Sequence, residues 1–231
     1  MKNIAVLTGA GISAESGIST FRDANGLWEN HDVRDVASPE GWDKNPELVL
    51  EFYNQRRRQL KTVKPNASHL ALKKLEDKFN VNIITQNVDN LHEQAGSSNI
   101  IHLHGELNKV KSTSYPKLIY HWEGDLKIGD LCEKGHQLRP HIVWFTEMVP
   151  MFDPAATICE SADIIIIIGT SMNVYPAAGL VSCAKADAAI YYVDPKPNIS
   201  YELKNLKKLK IIRQNATIGV PQLVDTLLKQ Q

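Results

Sequence analysis

The chain has 231 residues, 43% hydrophobic and 23% charged, with 13 glycines and 11 prolines. These proportions exclude a disordered, collagen-like or coiled-coil chain, and the length suits one domain with room for a smaller insertion. Lys and Arg total 26, as do Asp and Glu; a net charge of zero gives no global pull on nucleic acid or an anionic membrane, and neither is expected as a partner.

Residues 4–7 form an apolar run far shorter than a signal or membrane-spanning helix and read as a first strand. Gly9-Ala10-Gly11-Ile12-Ser13-Ala14 follows, a G-x-G-x-x-A form of the dinucleotide fingerprint. Glycine allows a tight turn at 9 and close backbone approach at 11. A small Ala14 lets a following helix pack and aim its N–H groups at a pyrophosphate. A ligand-free strand–helix turn has the same letters. The acidic residue expected about 20 residues on, at the end of the next strand, is missing. Asp23, Asp32 and Asp35 fall instead in an irregular stretch, 21–45, so an ordinary dehydrogenase half-site fits poorly.

Helices are predicted over 46–63, with Pro46 in the first turn, and over 68–78. A strand at 81–84 comes next, then a polar stretch, 109–139, broken at Pro116, Gly124 and Gly129. Further strands are predicted at 164–168, 190–193 and 209–212, and helices at 175–185 and 220–229. Continuous rather than alternating apolarity marks strands covered on both faces, and strand–helix alternation argues for an α/β doubly wound parallel sheet. The two irregular stretches read as excursions that join into a small module. Cys132, Cys159 and Cys183 are odd in number and contain no CxxC pair, which excludes a full disulfide framework and fits a reducing, cytoplasmic address.

The loop continues to Ser19-Thr20-Phe21-Arg22-Asp23; the 81–84 strand exits into Gln86-Asn87-Val88-Asp89; His102-Leu103-His104-Gly105, Val143-Trp144-Phe145 and Gly169-Thr170-Ser171 come later. Together, in this order along nearly the whole chain, these motifs resemble the sirtuins, NAD-dependent protein-lysine deacylases, in their short bacterial form. The resemblance implies a Rossmann-like large domain of residues 1–29, 66–108 and 141–231 and a small domain of 30–65 and 109–140. It implies NAD as a co-substrate, acylated lysine side chains of proteins as partners, and release of nicotinamide and O-acyl-ADP-ribose.

It also assigns residues. His104 is the general base, since an imidazole accepts a proton near neutral pH; a packed histidine at a strand end is the bland alternative. Asn87 and Asp89 join it as catalytic residues, and with Gln86 and Val88 they hold the nicotinamide ribose, although Asn and Asp also cap ordinary turns. Gly9, Ala10, Gly11, Ala14, Glu15, Phe21, Arg22, Trp28, Gly169, Thr170, Ser171, Asp194, Pro195, Lys196 and Ala216 complete the NAD contacts. Val143, Trp144, Phe145 and Val174 belong to segments that clamp a substrate peptide as an added strand. Tyr53 and Arg56, on one helical face, match a Tyr-x-x-Arg that in one branch contacts acidic acyl groups, which implies desuccinylase and demalonylase activity beside deacetylation. A solvated basic face at Arg56-Arg57-Arg58 is the alternative there.

Three features depart from the family pattern. Ser19 stands where proline is usual, and Thr146 where glycine is common. The paired cysteines of a structural zinc are absent: His121, His136 and His141 beside Cys132 match no standard spacing, so zinc is disfavoured and no metal ligand is assigned. Packing of Tyr115, Leu118, Ile119, Tyr120 and Trp122 is expected to hold the module instead. Two rival readings are an NAD or ADP-ribose-binding protein with weak catalysis and a protein ADP-ribosyltransferase. The oligomeric state and the preferred acyl group stay open.

Overall fold

The five apolar runs are parallel strands of one sheet. In chain order the elements are β1 (Asn3–Thr8), β2 (Leu27–Trp28), β3 (His31–Asp32), α1 (Val33–Val36), α2 (Pro39–Lys44), α3 (Pro46–Leu60), α4 (Ala67–Leu75), β4 (Asn80–Thr85), α5 (Leu91–Gln94), β5 (Ile100–His102), β6 (Gly105–Ser112), β7 (Ile119–His121), β8 (Leu138–Ile142), α6 (Phe152–Ser161), β9 (Ile164–Ile168), β10 (Ala189–Val193), α7 (Tyr201–Lys204), β11 (Leu209–Ile212) and α8 (Ala216–Lys229). This is a computed structural model, and it describes residues 1–19, 31–204, 206 and 208–230, with the backbone of 27 and 28.

The sheet runs β11-β10-β9-β1-β4-β5. From β1 the chain builds outward through β4 to β5, then returns to build β9, β10 and β11 on the other side. The reversal lies beside β1, where open α/β sheets bind ligands at the carboxyl ends of their strands. In β9, Ile164, Ile166 and Ile168 face α4 and α8 through a core that includes Leu72, Leu75, Val220 and Val224. Ile165 and Ile167 face α6 and Leu180 on the opposite side. Each buried isoleucine contributes roughly 1.5–3 kcal/mol, and both faces being covered is what makes the strand read as unbroken apolarity.

The second sheet is antiparallel, β7-β6-β8. Its core is Leu50 of α3 with Val110, Leu126, Cys132 and Leu138. The expected packing set is only partly right: Leu118, Tyr120 and Trp122 pack at the edge, while Tyr115 and Ile119 are exposed. Much of the work falls to α3. Arg57 is buried and donates from Nε to the Leu107 carbonyl at 2.9 Å and from Nη1 to Asn54 Oδ1 at 2.7 Å. Asn54 pairs both ways with the backbone of Leu126, each bond 2.9 Å. The basic run is therefore not one solvated face. Arg58 is the exposed member, bridging Glu51 and Asp125.

Several predicted elements differ. The 175–185 helix is a run of 3-10 turns, Ala177–Cys183, in a segment of small residues with Pro176 and Gly179. The 21–45 stretch holds two short helices, α1 and α2, each begun by a side-chain cap, Asp32 on the Arg34 N–H and Ser38 on the Gly41 N–H. Among the described residues, no α-helix follows directly on the glycine loop. Ala10–Ile12 and Ala14–Ser16 are single 3-10 turns, and Gly17 stops them at φ +96°. Among the described residues, no helix is long and apolar enough to cross a membrane.

Candidate active site

The glycine loop leaves β1 and touches the loop leaving β9 backbone to backbone. Gly9 N donates to the Ile168 carbonyl at 3.0 Å and Gly11 N to the Gly169 carbonyl at 2.8 Å. A Cβ on Gly11 would lie 2.6 Å from Gly169 Cα, and Gly169 sits at φ +59°. Glycine is thus required at both positions by contact and conformation. Ala10 and Ala14 line the same turns, half-buried.

The exit of β4 packs against this crevice. Asn87 Nδ2 donates to the Gly9 carbonyl and to Ser13 Oγ, both at 3.2 Å. Ser13 Oγ donates to Asp89 Oδ2 at 3.0 Å, and Asp89 Oδ1 accepts the Leu91 N–H at 3.1 Å. Asp89 therefore also caps α5, as an ordinary turn residue would. Burial raises its carboxyl pKa against the pull of those hydrogen bonds. Gln86 Nε2 reaches Thr170 Oγ1 at 3.1 Å, joining the two strand exits. Val88 accepts the Leu107 N–H at 2.9 Å, tying β6 to the same segment.

His104 follows β5 and precedes β6. Its Nδ1 lies 3.1 Å from the Gln86 carbonyl. A carbonyl only accepts, so Nδ1 carries the proton and neutral His104 keeps its lone pair on Nε2. Burial lowers the pKa, with the Gln86 bond opposing, so the ring is a neutral base near pH 7. Gly105 is fixed by geometry: its φ is +84° and a Cβ there would meet the His141 carbonyl at 2.0 Å.

Around the far side, Asp194 is buried and its Oδ1 accepts the Lys196 N–H at 2.8 Å, turning the chain after β10; Pro195 and Lys196 are exposed. Ser171 accepts from Asn198 Nδ2 at 3.0 Å. Ala216 is buried at the start of α8, and Glu15 receives the Thr217 N–H at 3.1 Å and the Thr217 hydroxyl at 2.7 Å. The Glu15 carboxylate thus serves a helix terminus. Phe21, Arg22 and the Trp28 side chain lie outside the described residues.

Tyr53 is fully buried, and its hydroxyl accepts the Trp144 indole N–H at 3.1 Å. Burial raises the phenol pKa, so its proton stays on. Arg56 stacks 4.2 Å above the Phe52 ring and donates from Nη1 to the Phe52 carbonyl at 2.9 Å. Trp144 is held from several sides, with the Arg139 guanidinium 3.4 Å over its ring and Trp42 against it. In the segments expected to clamp a peptide, Val143 N donates to the His104 carbonyl and Phe145 N to the Ala37 carbonyl, each at 2.9 Å. The Phe145 side chain is exposed and Val174 is half-buried.

A Sir2 family model matches residues 9–176. The chain belongs to the Sir2 family. It is 56% identical over 229 residues to a Helicobacter pylori "NAD-dependent protein deacylase", covering 99% of both chains. A solved "Sir2 homolog-NAD complex" superposes with a TM-score of 0.86 at 40% identity, over 99% of this chain and 90% of that one. A "Sir2 bound to acetylated peptide" gives 0.78 at 26%, over 99% and 92%.

Cys132 is buried, its Sγ 3.3 Å from Ser112 Oγ. Among the described residues no three of Cys132, His121, His136 and His141 come together; the group with metal-ligand proximity is Glu93, His102 and Glu106. Sequence reasoning missed Ser13, which joins Asn87 to Asp89, and the His102–Glu93 pair. Nothing in the letters distinguishes Ser13 from other loop serines; the H-x-H spacing at 102 and 104 was the available sign for His102.

Proposed function

We infer that this Sir2-family chain is an NAD-dependent protein deacylase that removes acyl groups from lysine side chains. The observation that carries the reading is His104, a neutral imidazole whose proton is pinned at Nδ1 by the Gln86 carbonyl, against the segment that carries Asn87 and Asp89. NAD as co-substrate supplies the ribose carbon to which the acyl oxygen is transferred when nicotinamide leaves. The crevice fits such a molecule, since glycine backbone and the buried amide and carboxyl groups of Asn87 and Asp89 meet at the strand ends. Asn87 and Asp89 orient the nicotinamide ribose, and His104 Nε2 takes a proton from its hydroxyl. Gly9 to Gly11 and Gly169 to Ser171 approach the diphosphate, and the 143–145 and 172–175 segments hold the peptide backbone. Incubation with NAD and an acyl-lysine peptide, followed by weighing the products, tests this. Free lysine peptide with an acylated ADP-ribose is expected; ADP-ribose left on protein, or no turnover, overturns it.

The acyl pocket is proposed to accept succinyl and malonyl as well as acetyl groups. Trp144 occupies the Tyr53 oxygen as acceptor, so the phenol serves as a donor, and Arg56 supplies the charge. Arg56→Met is expected to cost the acidic acyl substrates about 2–5 kcal/mol and acetyl-lysine much less. Arg58 is the control position, because Arg57 holds the small module. Steady-state rates on matched succinyl and acetyl peptides decide it, and equal losses would reject the pocket.

A further inference from the structure

Two histidines, two residues apart, hold two consecutive carbonyls. His104 Nδ1 lies 3.1 Å from the Gln86 carbonyl, and His102 Nδ1 lies 3.0 Å from the Asn87 carbonyl. They differ at the other nitrogen. His102 Nε2 lies 2.7 Å from Glu93 Oε1, with only 7% of the His102 side chain exposed. A carbonyl and a carboxylate both accept, so the His102 ring satisfies both only with a proton on each nitrogen, as an imidazolium.

We propose that the Glu93–His102 ion pair is a positioning device for Asn87: the imidazolium holds the Asn87 carbonyl, and with it the side chain directed at Gly9 and Ser13, and releases it on losing a proton. The acidic neighbours favour the charged ring. Glu93 and His92 face the ring from α5, Asp89 from the loop before it, and Glu106 from β6, where Lys109 Nζ lies 2.7 Å from Glu106 Oε1. Burial by itself would lower the His102 pKa; the Glu93 hydrogen bond and charge, the Asn87 carbonyl and Glu106 outweigh it and raise it. On deprotonation the ring faces a conflict. A proton kept on Nε2 for Glu93 leaves a lone pair against the Asn87 carbonyl, and a proton kept on Nδ1 leaves a lone pair against a carboxylate.

The proposal rests on His104 being the base. The two rings then bracket the reaction, with a rising limb of kcat/KM for NAD as His104 loses its proton and a falling limb as His102 loses its own. Glu93→Gln separates this from a purely structural role. A glutamine amide donates to Nε2, so a neutral ring with Nδ1–H satisfies both partners and no longer needs the extra proton. The wild-type falling limb is expected to span about tenfold or more, and to flatten to within about twofold in Glu93→Gln. Uniform loss at every pH, or a falling limb unchanged in the variant, overturns the proposal. Nitrogen-15 NMR of the resting protein reads the same point without turnover. His102 should be doubly protonated near neutral pH in the wild type and a neutral Nδ1–H tautomer in Glu93→Gln; a neutral wild-type ring overturns the proposal. A protein that fails to deacylate at any pH yet shows this titration would sink the functional reading and leave the ion pair standing.

Discussion

The parallel sheet and the antiparallel module are stabilised by different means. Each strand of the large sheet sinks alternate side chains into apolar cores on opposite faces, so its stability is spread over many residues. The module has a small apolar core, and a few buried polar groups of α3 join it to the rest, with Arg57 and Asn54 bonding to Leu107, Gly124 and Leu126. Diffuse support tolerates chemistry at its edge, whereas concentrated support makes single residues decisive.

The sharpest division is between losing rate and losing fold. His104→Ala at the sheet edge should lower deacylation on the order of 10²–10⁴-fold with an unchanged melting temperature; near-normal turnover in the folded variant would remove His104 as base. Arg57→Met should do the reverse. Burial brings the Arg57 guanidinium down to about 10, so it is still charged at neutral pH, and its removal takes a donor from the Leu107 and Gly124 carbonyls and from Asn54 Oδ1, which keeps the Leu126 N–H. A loss of about 2–4 kcal/mol is expected in denaturant titration, with early proteolysis between residues 113 and 139. With zinc disfavoured by the donor set, a chelator should leave the wild-type midpoint where it was, and Arg57, Asn54 and the apolar core are expected to hold the module. A chelator-induced drop in melting temperature would invert the comparison.

The large sheet has one polar seam of its own. His69 of α4 and His92 of α5 lie edge to face at 4.9 Å, and His92 Nε2 is 3.2 Å from Thr8 Oγ1. Burial lowers His69 to about 4 and pushes His92 well below its ordinary range, with the His69 and His102 charges adding to the second shift. In the unfolded chain both bind protons near 6.5. As the pH falls from about 6.5 towards 4 the unfolded state gains protons first, so stability drops by up to ~1.4 kcal/mol per unit for each histidine. Denaturation midpoints at several pH values should show this slope, and His69→Gln should reduce it; a flat profile would mean the pair is solvated. The smallest effect is expected at Thr146, a β-branched residue at φ +73°. Thr146→Gly relieves that strain but adds unfolded-state entropy, for a net gain of about 0.5 kcal/mol in the same assay.

The comparison also explains what the letters disclosed. Strands buried on both faces announce themselves, and β9, five isoleucines long, was read to its last residue. The module's strands conceal themselves. In β6 the buried residues are Gly105, Leu107, Val110 and Ser112, and the register against β8 shifts between Gly105 and Val110, so the two-residue period is broken. Asn87 and Asp89 were legible as the exit of the 81–84 strand, whereas His104 follows β5, a three-residue strand outside the predicted set, and was assigned through the resemblance alone. The different partners of His102 and His104 were not legible, since Glu93 arrives at His102 Nε2 from another element.

The Glu15 bond to Thr217 joins residues 202 positions apart, and Gly169, another of the loop's anchors, lies more than half the chain away. Synthesis proceeds from the amino end, so the glycine loop is among the first segments to emerge and among the last to find its partners. Until residue 168 has left the ribosome β1 lacks β9, and until residue 217 has followed the loop lacks its helix. The nascent chain therefore carries an unassembled nucleotide crevice through almost the whole of translation, and its competence for NAD arrives in one late step rather than domain by domain.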